Sequence, residues 1–167
     1  GTVPAPGNRT GSGPADGDAT AGLLPVNRAK AVRASSAAPG SDPAYANDGD
    51  LRTWWQPADV DASPSLVTRF NGRFRVSAAR IAWAEPGLDY AAGRPPRPIA
   101  YTLELRDGDG DGADWHTVAD NRDGQDLLID TPTFPPQTAT QARVVVHESP
   151  GYAWGIADVS VFGVVEP

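Results

Sequence analysis

The chain of 167 residues carries 14 Lys and Arg against 21 Asp and Glu, a net charge of −7, and it contains no cysteine. This length suits one domain with its own core and a short tail. The absence of cysteine excludes a disulfide scaffold, a thiolate metal site and a thiol nucleophile. The acidic balance argues against nucleic acid and against a membrane surface, because clustered Lys and Arg hold such partners. No apolar run reaches the roughly 20 residues that span a bilayer.

The start of the chain differs in composition from the rest. Its first 22 residues contain six Gly and three Pro and almost no large apolar side chain. A segment that buries so little apolar surface cannot offset the entropy cost of ordering. We therefore predict a linker over residues 1–26 and one folded domain over residues 27–167.

The remainder predicts an all-β fold, because short alternating runs are separated by clusters of Gly, Pro, Asn and Asp. In AYTLELR (100–106), Tyr101, Leu103 and Leu105 share one face and polar residues occupy the other. The predicted strands are AKAVRAS (29–35), SLVTRF (65–70), ARIAWAE (79–85), AYTLELR (100–106), WHTVAD (115–120), DLLID (126–130), ARVVVHE (142–148) and ADVSVFGV (157–164). About eight short strands at this spacing favour a β-sandwich or jelly roll.

The most specific motif is AYANDGDLRTWW, where Asp48-Gly49-Asp50 precedes Thr53 and the adjacent tryptophans. With AVRASS before it, and RFRVSAARIAW, YTLELRDG, DWHTVAD, ARVVVHE and IADVSVFG after it, this order resembles the coagulation-factor 5/8 type C, or discoidin-like, domain. Many carbohydrate-binding modules of bacterial glycoside hydrolases share that galactose-binding-like β-sandwich. The resemblance covers about residues 27–164. Two departures are the loss of an acidic DLG segment after SLVTRF and Asp158 where the family has glutamate.

The resemblance implies a structural calcium ion. Calcium takes six to eight oxygen ligands, which an irregular turn can aim at one point. By resemblance the donors are the Tyr45 and Ala157 carbonyls, the Asp48, Asp50 and Asp158 carboxylates, and Thr53. On spacing alone, Asp48-Gly49 also fits a tight turn that needs no metal.

A second acidic run, DGDGDG (107–112), begins like an EF-hand loop. The twelfth position, which must be a bidentate acid, is Val118. The run lies between YTLELR and WHTV, so we predict a solvated hairpin loop there.

Catalytic constellations are not predicted. The two histidines are His116, expected to face solvent, and His147, expected at a loop rim as a surface or ligand-contacting residue. Neither belongs to a nucleophile elbow, and the clustered Asp residues lie in turns rather than flanking one cleft. We predict a module without enzymatic activity.

The five tryptophans divide into predicted core and predicted surface positions. Trp55, Trp83 and Trp115 are assigned to the interior. Trp54 alternates outward, and Trp154 lies in ESPGYAWG beside Tyr152, where sugar binding and local packing both remain open. Tryptophan stacks on the apolar face of a sugar ring while polar groups fix its hydroxyls. The candidate ligand-binding residues are Trp54, Glu85, Asp89, Tyr90, Arg94, His147, Tyr152 and Trp154, although the charged loop residues also fit solvated positions.

Three functions follow from the resemblance. The first is a secreted carbohydrate-binding module that holds a parent glycoside hydrolase near an oligo- or polysaccharide. The second is a non-binding accessory module that packs on the parent chain's catalytic domain. The third, membrane binding as in the coagulation relatives, is disfavoured by the acidic charge.

Overall fold

The computed structural model describes residues 22–28, 30–84, 100–108, 114–121, 129–148 and 154–166. Within them the strands are β1 (Leu24–Pro25), β2 (Val32–Ala34), β3 (Ser65–Ala84), β4 (Ala100–Arg106), β5 (His116–Asn121), β6 (Ile129–Asp130), β7 (Thr133–Glu148) and β8 (Gly155–Val165), with a 3₁₀ helix over Pro43–Asn47. All strand pairs are antiparallel. The all-β prediction is confirmed. No helix in these ranges has the length and apolar character needed to cross a membrane.

Strands β3 and β7 form one long ribbon that contributes to both layers of a β-sandwich. The main path of hydrogen-bonded strands is β1-β8-β3-β7-β4-β5, and β2 and β6 pair with β3 off this path. The first half of β3 pairs with β2 and with the second half of β7, and its second half pairs with β8. We call the layer containing β2, β4 and β5 the front sheet and the layer containing β8 the back sheet.

The bend between the two halves of β3 lies at Asn71-Gly72. Gly72 has φ of 118°, a region that favours glycine, and the β3–β7 register shifts between Arg69 and Phe74. The sequence predicted two separate strands here, SLVTRF and ARIAWAE. The structure joins them, because the glycine bends the chain without ending its pairing with β7.

The core between the layers includes three tryptophans, of which Trp154 contacts the other two. Trp55, Trp83 and Trp154 are 0%, 5% and 6% exposed. The ring centroids of Trp55 and Trp154 are 6.2 Å apart in an edge-on arrangement, and those of Trp83 and Trp154 are 6.1 Å apart. We call this cluster the tryptophan core. The interior predictions for Trp55 and Trp83 are confirmed.

Trp115 differs from its prediction. It is half-buried, and its ring lies 5.0 Å from the Arg106 guanidinium and 4.5 Å from that of Arg143. Both arginines lie on β4 and β7 beside Leu105 and Val144, which face the core. The interior prediction for Trp115 is therefore wrong. Its ring covers the outer side of the front sheet.

Both ends of the predicted domain can be compared with the structure. Leu24 and Pro25, which the prediction placed in the linker, pair with Gly163 and Phe162 of β8. Val26 is 2% exposed and its amide donates to the Val161 carbonyl. The fold thus includes residues 24–26, while residues 1–21 lie outside the described ranges. The β4–β5 pairing agrees with the predicted hairpin, whose residues 109–113 also lie outside them.

Candidate functional site

The segment around the adjacent tryptophans is fastened to the last strand. Trp55 and Ile156 form an isolated antiparallel bridge, in which each amide donates to the other residue's carbonyl at 2.9 and 2.8 Å. The Trp55 indole nitrogen also donates to the Ser36 carbonyl at 2.8 Å. Because side chains alternate along an extended segment, Trp55 enters the core and Trp54 turns to the other side, where it is half-buried. The prediction that Trp54 faces outward is confirmed.

Trp54 lines an open groove on the surface, which we call the Trp54 groove. It has two adjoining lobes with cavity volumes of about 370 and 500 Å³. The lobes share Ala38, Gly40, Ser41 and Tyr45; the first adds Pro39, Arg52, Thr53, Trp54 and Gln56, and the second adds Ala37, Asp42 and Pro43. Tyr45 therefore lies between an aromatic lobe and an acidic lobe. The groove offers apolar ring faces next to hydroxyl, amide, guanidinium and carboxylate groups.

Hydrogen bonds between neighbouring segments hold the walls of this groove. The Ser41 hydroxyl donates to the Trp54 carbonyl at 2.9 Å and accepts from the Gln56 amide at 2.7 Å. The Ala38 amide donates to the Gln56 carbonyl at 2.7 Å. Asp42 caps the 3₁₀ helix by accepting from the Ala44 amide at 2.9 Å, and this helix presents Tyr45. These bonds fix the backbone on both sides of the groove.

Gly155 provides the floor beneath Trp54. A Cβ atom at this position would lie 2.3 Å from the Trp55 carbonyl oxygen and 2.8 Å from Trp54 Cδ1. Contacts that short do not occur, so only glycine lets β8 approach the two tryptophans this closely. The position of Trp54 thus depends on a residue a hundred positions later in the chain.

The acidic turn next to the groove brings together part of the predicted calcium ligand set. The Thr53 hydroxyl lies 2.5 Å from Asp48 Oδ2 and 3.0 Å from the Asp50 carbonyl oxygen. The Asp50 amide donates to Asp48 Oδ1 at 2.9 Å. The Asp50 carboxylate accepts from the Arg52 guanidinium, and this hydrogen bond lowers the pKa of Asp50 below its ordinary value. Three oxygen donors therefore meet, and the Asp50 carboxylate is paired elsewhere.

The structure does not bring Asp158 into that set. Its carboxylate accepts from the Ser160 hydroxyl at 2.8 Å and lies 3.8 Å from the Arg80 guanidinium. Asp158 pairs with Ala82 on β3, whereas the core-facing partners are Ile81 and Val159. No group of three or more His, Cys, Asp or Glu among the described residues is arranged to hold a metal ion. The predicted three-carboxylate site is therefore not formed.

Ala157 and Tyr45 were predicted to contribute carbonyl oxygens. Ala157 lies at a β-bulge, because the β3–β8 register passes from Ala82–Asp158 directly to Trp83–Ile156. A bulged residue is left out of ladder pairing, and the adjacent Trp55–Ile156 bridge ties this point to the segment that follows the acidic turn. The Tyr45 side chain, 36% exposed, lines the Trp54 groove.

The prediction for Trp154 needs correction. The sequence left open whether Trp154 binds sugar or packs locally, and Trp154 was included among the candidate ligand-binding residues. The structure places its ring in the tryptophan core, 6% exposed, between Trp55 and Trp83. A ring with both neighbours inside the sandwich has no face for a ligand, so local packing is the correct interpretation.

Of the other predicted ligand-binding residues, the structure describes only His147. His147 is exposed at the end of β7, and its Nε2 lies 3.0 Å from the Thr102 hydroxyl, away from the groove lining. Glu85, Asp89, Tyr90, Arg94 and Tyr152 lie outside the described residues.

Sequence reasoning missed several residues that line the groove. Arg52 and Gln56 flank Trp54 at a spacing of two, and all three line the same lobe. Period-two alternation through Arg52-Thr53-Trp54-Trp55-Gln56 was a usable signal for this grouping. Ser41 gave no comparable signal. It lies in an irregular segment, and only the folded path of that segment brings it to the groove.

The fold is similar to those of carbohydrate-binding modules of known structure. No family model matches the chain, and no curated protein does. Chitosan-binding module 1 of a chitosanase/glucanase from Paenibacillus sp. IK-5 is 23% identical, with a TM-score of 0.69, covering 84% of this chain and 99% of the module. CBM32-3 from a family 31 glycoside hydrolase of Clostridium perfringens is 17% identical, with a TM-score of 0.68, covering 87% and 97%. The family 32 module of C. perfringens NanJ, solved with galactose, is 21% identical, with a TM-score of 0.63, covering 79% and 92%.

These likenesses establish the class of fold. The chain adopts the galactose-binding-like β-sandwich of these modules, as the sequence predicted. The similar proteins are binding modules rather than catalytic domains.

Proposed function

We propose that this chain is a non-catalytic carbohydrate-binding module and that the Trp54 groove is its sugar site. The observation that carries the proposal is a half-buried tryptophan beside Tyr45 in an open groove whose walls expose polar groups. An aromatic ring packs against the apolar face of a sugar, and a few fixed polar groups select its hydroxyls. A site held by its own hydrogen bonds loses little entropy when the ligand binds.

Two further observations support a binding function over catalysis. The similar modules include one solved with chitotriose and one solved with galactose, so this fold accepts neutral and amino sugars. Among the residues that the structure describes, the Thr102 hydroxyl lies beside His147 as a nucleophile lies beside a base, but Thr102 is 4% exposed. Thr102 shares the outer side of the sheet with Glu104, and its burial there leaves a substrate no access to the hydroxyl.

The test is glycan binding by the isolated chain and its groove variants. We expect Trp54→Ala and Tyr45→Ala each to weaken binding by about tenfold or more, because each removes a stacking surface worth roughly 1–2 kcal/mol. Leu51→Ala is the matched control, since Leu51 is 63% exposed in the same turn and does not line the groove. A screen of chitosan oligomers, galactosides, xylans and glucans that gives no binding at all would leave the non-binding accessory module as the function.

Calcium is a second part of the proposal. The Asp48 carboxylate, the Thr53 hydroxyl and the Asp50 carbonyl supply oxygen donors at one point, and the Ala157 bulge lies next to the bridge that holds this segment. Asp158 is not part of the ligand set that we propose. Bound calcium would supply a cross-link between the early turn and β8, which is useful in a chain without disulfides.

The calcium proposal is tested by calorimetric titration of chelator-washed protein. We expect saturable binding and a stability gain of about 2.7 kcal/mol at a calcium concentration one hundred times the dissociation constant. Asp48→Ala removes both effects, whereas Asp42→Ala, which removes an acid from the neighbouring helix cap, leaves them in place. Absence of binding at millimolar calcium, or equal effects of the two variants, argues that the acidic turn is only a turn.

The parent protein is a third part of the proposal. We propose a secreted glycoside hydrolase as the parent, supported by similar modules that belong to such enzymes. Removing the module from the parent is expected to lower hydrolysis of insoluble polysaccharide and to leave hydrolysis of soluble oligosaccharides unchanged, because the module raises local substrate concentration. Equal losses on both substrates would indicate that the module stabilises the catalytic domain instead.

A further inference from the structure

The outer side of the front sheet carries a concentration of arginines that the strand register assembles. We call this surface the arginine face. Its first cross-strand row, from β2 through β3 and β7 to β4, is Arg33, Val67, Arg143 and Glu104. Its second row, from β3 through β7 to β4, is Arg69, Gln141 and Arg106. The alternate residues of the same strands, including Leu66, Val144 and Leu103, face the core, so both rows point away from it.

The charge of this face opposes that of the whole chain. The two rows hold four arginines and one acid, Glu104, in a chain of net charge −7. Two more acids, Asp114 and Asp120, lie toward the β5 edge, away from Arg33 and Arg69. At physiological salt the screening length is about 8 Å, so a ligand on this face experiences mainly the nearby arginines. Asp107, which directly follows Arg106, pairs with Arg73 at 2.8 Å, so its charge is already compensated.

The arginines on this face are held in different ways. The Arg143 guanidinium pairs with Glu104, whose side chain is 14% exposed, and it also lies over the Trp115 ring together with Arg106. Arg33 is exposed, and its side chain makes no hydrogen bond or ion pair with the part of the chain that the structure describes. The face thus combines a pre-positioned aromatic and guanidinium cluster with an uncommitted cation at its other side.

The spacing of these groups follows from sheet geometry. Arg33 and Arg143 are two strands apart in the first row, and Arg69 and Arg106 are two strands apart in the second. Neighbouring strands are about 4.8 Å apart, so each pair is separated by roughly 10 Å at the backbone. Such a ladder of cations suits an extended polymer with a carboxylate on successive or alternate units.

We propose that the arginine face is a second binding surface, separate from the Trp54 groove, for a linear anionic polysaccharide of the polyuronate class. Guanidinium groups bind carboxylates through paired, charge-assisted hydrogen bonds, and Trp115 offers an aromatic edge for a sugar ring. Duplex DNA carries one charge per roughly 1.7 Å, a density that four arginines on a chain of net charge −7 do not match. The occupant that the face fits is therefore an acidic glycan.

The test compares polygalacturonate with its fully methyl-esterified form, which keeps the polymer and removes its charge. We expect calorimetry to show binding of the charged polymer only, weakened about five- to tenfold by the double substitution Arg33→Gln/Arg69→Gln. Arg33→Gln alone, at an exposed position that leaves the fold intact, is expected to weaken binding about two- to threefold. Arg75→Gln/Arg80→Gln, with the same change in net charge on the second half of β3, leaves binding unchanged.

Other outcomes overturn the inference. Equal losses in the two double variants would mean that total charge governs binding, and equal binding of the esterified polymer would mean that charge plays no part. Equal affinity for a DNA duplex at matched salt would indicate a general anion surface rather than a glycan site.

Trp54→Ala separates the two proposals. If it abolishes binding of polygalacturonate and neutral glycans alike, there is one site and the inference fails; if neutral glycans do not bind at all while the Arg33 effect persists, the groove proposal fails alone.

Discussion

Trp54 and Trp55 are neighbours in the sequence but lie in regions with different properties. On one side of the chain, Trp55 is fully buried, contacts Trp154 and donates its indole hydrogen to Ser36. On the other side, Trp54 is half-buried and lines an open groove with Arg52 and Gln56. The bridge to Ile156 holds both at once. One backbone anchor therefore both stabilises the fold and positions a surface aromatic ring, because successive side chains point to opposite sides of the chain.

The largest expected effect separates the two neighbours directly. Trp55→Ala removes a fully buried ring and its hydrogen bond, so we expect a loss of about 3–5 kcal/mol of unfolding free energy. Trp54→Ala, at a half-buried position, is expected to cost about 1 kcal/mol or less. Urea denaturation followed by circular dichroism measures both. Similar losses for the two variants would show that Trp54 is a core residue and that the division of roles is wrong.

The second prediction disturbs the contact between β8 and both tryptophans. Gly155→Ala places a methyl group 2.3 Å from the Trp55 carbonyl oxygen, and we expect it to cost about 1–3 kcal/mol and to weaken glycan binding in the groove. The matched control is Gly163→Ala, which lies in the same strand as Gly155. Its methyl group would lie 2.4 Å from the Arg75 carbonyl oxygen of β3. It should reduce stability similarly and leave binding intact. If both variants lose binding to the same degree, Gly155 has no specific role at the groove.

The third prediction concerns Tyr101, whose ring lies 5.4 Å from that of Trp83 in the tryptophan core. Its hydroxyl donates to Asp130, and burial followed by this hydrogen bond raises the pKa of Tyr101 above its ordinary value. Because the folded pKa exceeds the unfolded one, the stabilisation is complete below about pH 10 and declines as pH rises further. Tyr101→Phe should cost about 1–2 kcal/mol at neutral pH and flatten the alkaline loss.

Denaturant titrations between pH 8 and 11 measure this effect. Tyr45→Phe is the control, since Tyr45 is on the groove side and exposed, and its alkaline profile should match that of the unsubstituted protein. A Tyr101→Phe profile identical to the control would contradict the assignment.

The smallest effect on stability is expected at Asp61, which acts on Trp55 indirectly, through a serine that contacts both residues. Its carboxylate accepts from the hydroxyls of Ser35 and Ser36, and the Ser36 carbonyl receives the Trp55 indole hydrogen. Burial acts to raise the pKa of Asp61, but hydrogen bonds from Ser35, Ser36 and the Ser63 amide outweigh it, and the pKa is lowered. The stabilisation is therefore present above about pH 4 and is lost as pH falls below that value.

Asp61→Asn is expected to cost about 1 kcal/mol at pH 7 and to reduce the loss of stability below pH 4. Asp59→Asn is the control, because Asp59 is exposed two positions away. Thermal unfolding from pH 3 to 7 distinguishes them. If the two acids give the same acid profile, the serine cradle around Asp61 contributes nothing to stability.

The local sequence pattern was sufficient to predict a strand and its buried residues where one face of the strand is uniformly apolar. The β4 prediction, Ala100–Arg106, matches its observed bounds, and Leu103 and Leu105 are fully buried as the alternation requires. The bounds of β3 were missed because Asn71-Gly72 resembles a turn, while the structure uses it as a bend within one strand. Distinguishing the two needs the partner strand β7, which no local pattern reveals.

The sites show the same limit more strongly. The outward orientation of Trp54 was predicted correctly, because alternation beside a recognised core tryptophan is a local signal. Trp154 was not, because its Gly- and Pro-containing surroundings suggest an exposed loop while contacts with Trp55 and Trp83 place it inside. The arginine face gave no sequence signal at all, since its four arginines come from four strands and only the strand register aligns them.

The long bent ribbon has a consequence for how the molecule comes apart. Because β3 and β7 each contribute one half to the front sheet and the other half to the back sheet, neither sheet retains its central strands if the other opens. Partial opening is therefore expected to be confined to the short strands β1, β2 and β6, with their amides exchanging hydrogen early. Amides along both halves of β3 should exchange together, through a single cooperative event that unfolds the whole sandwich.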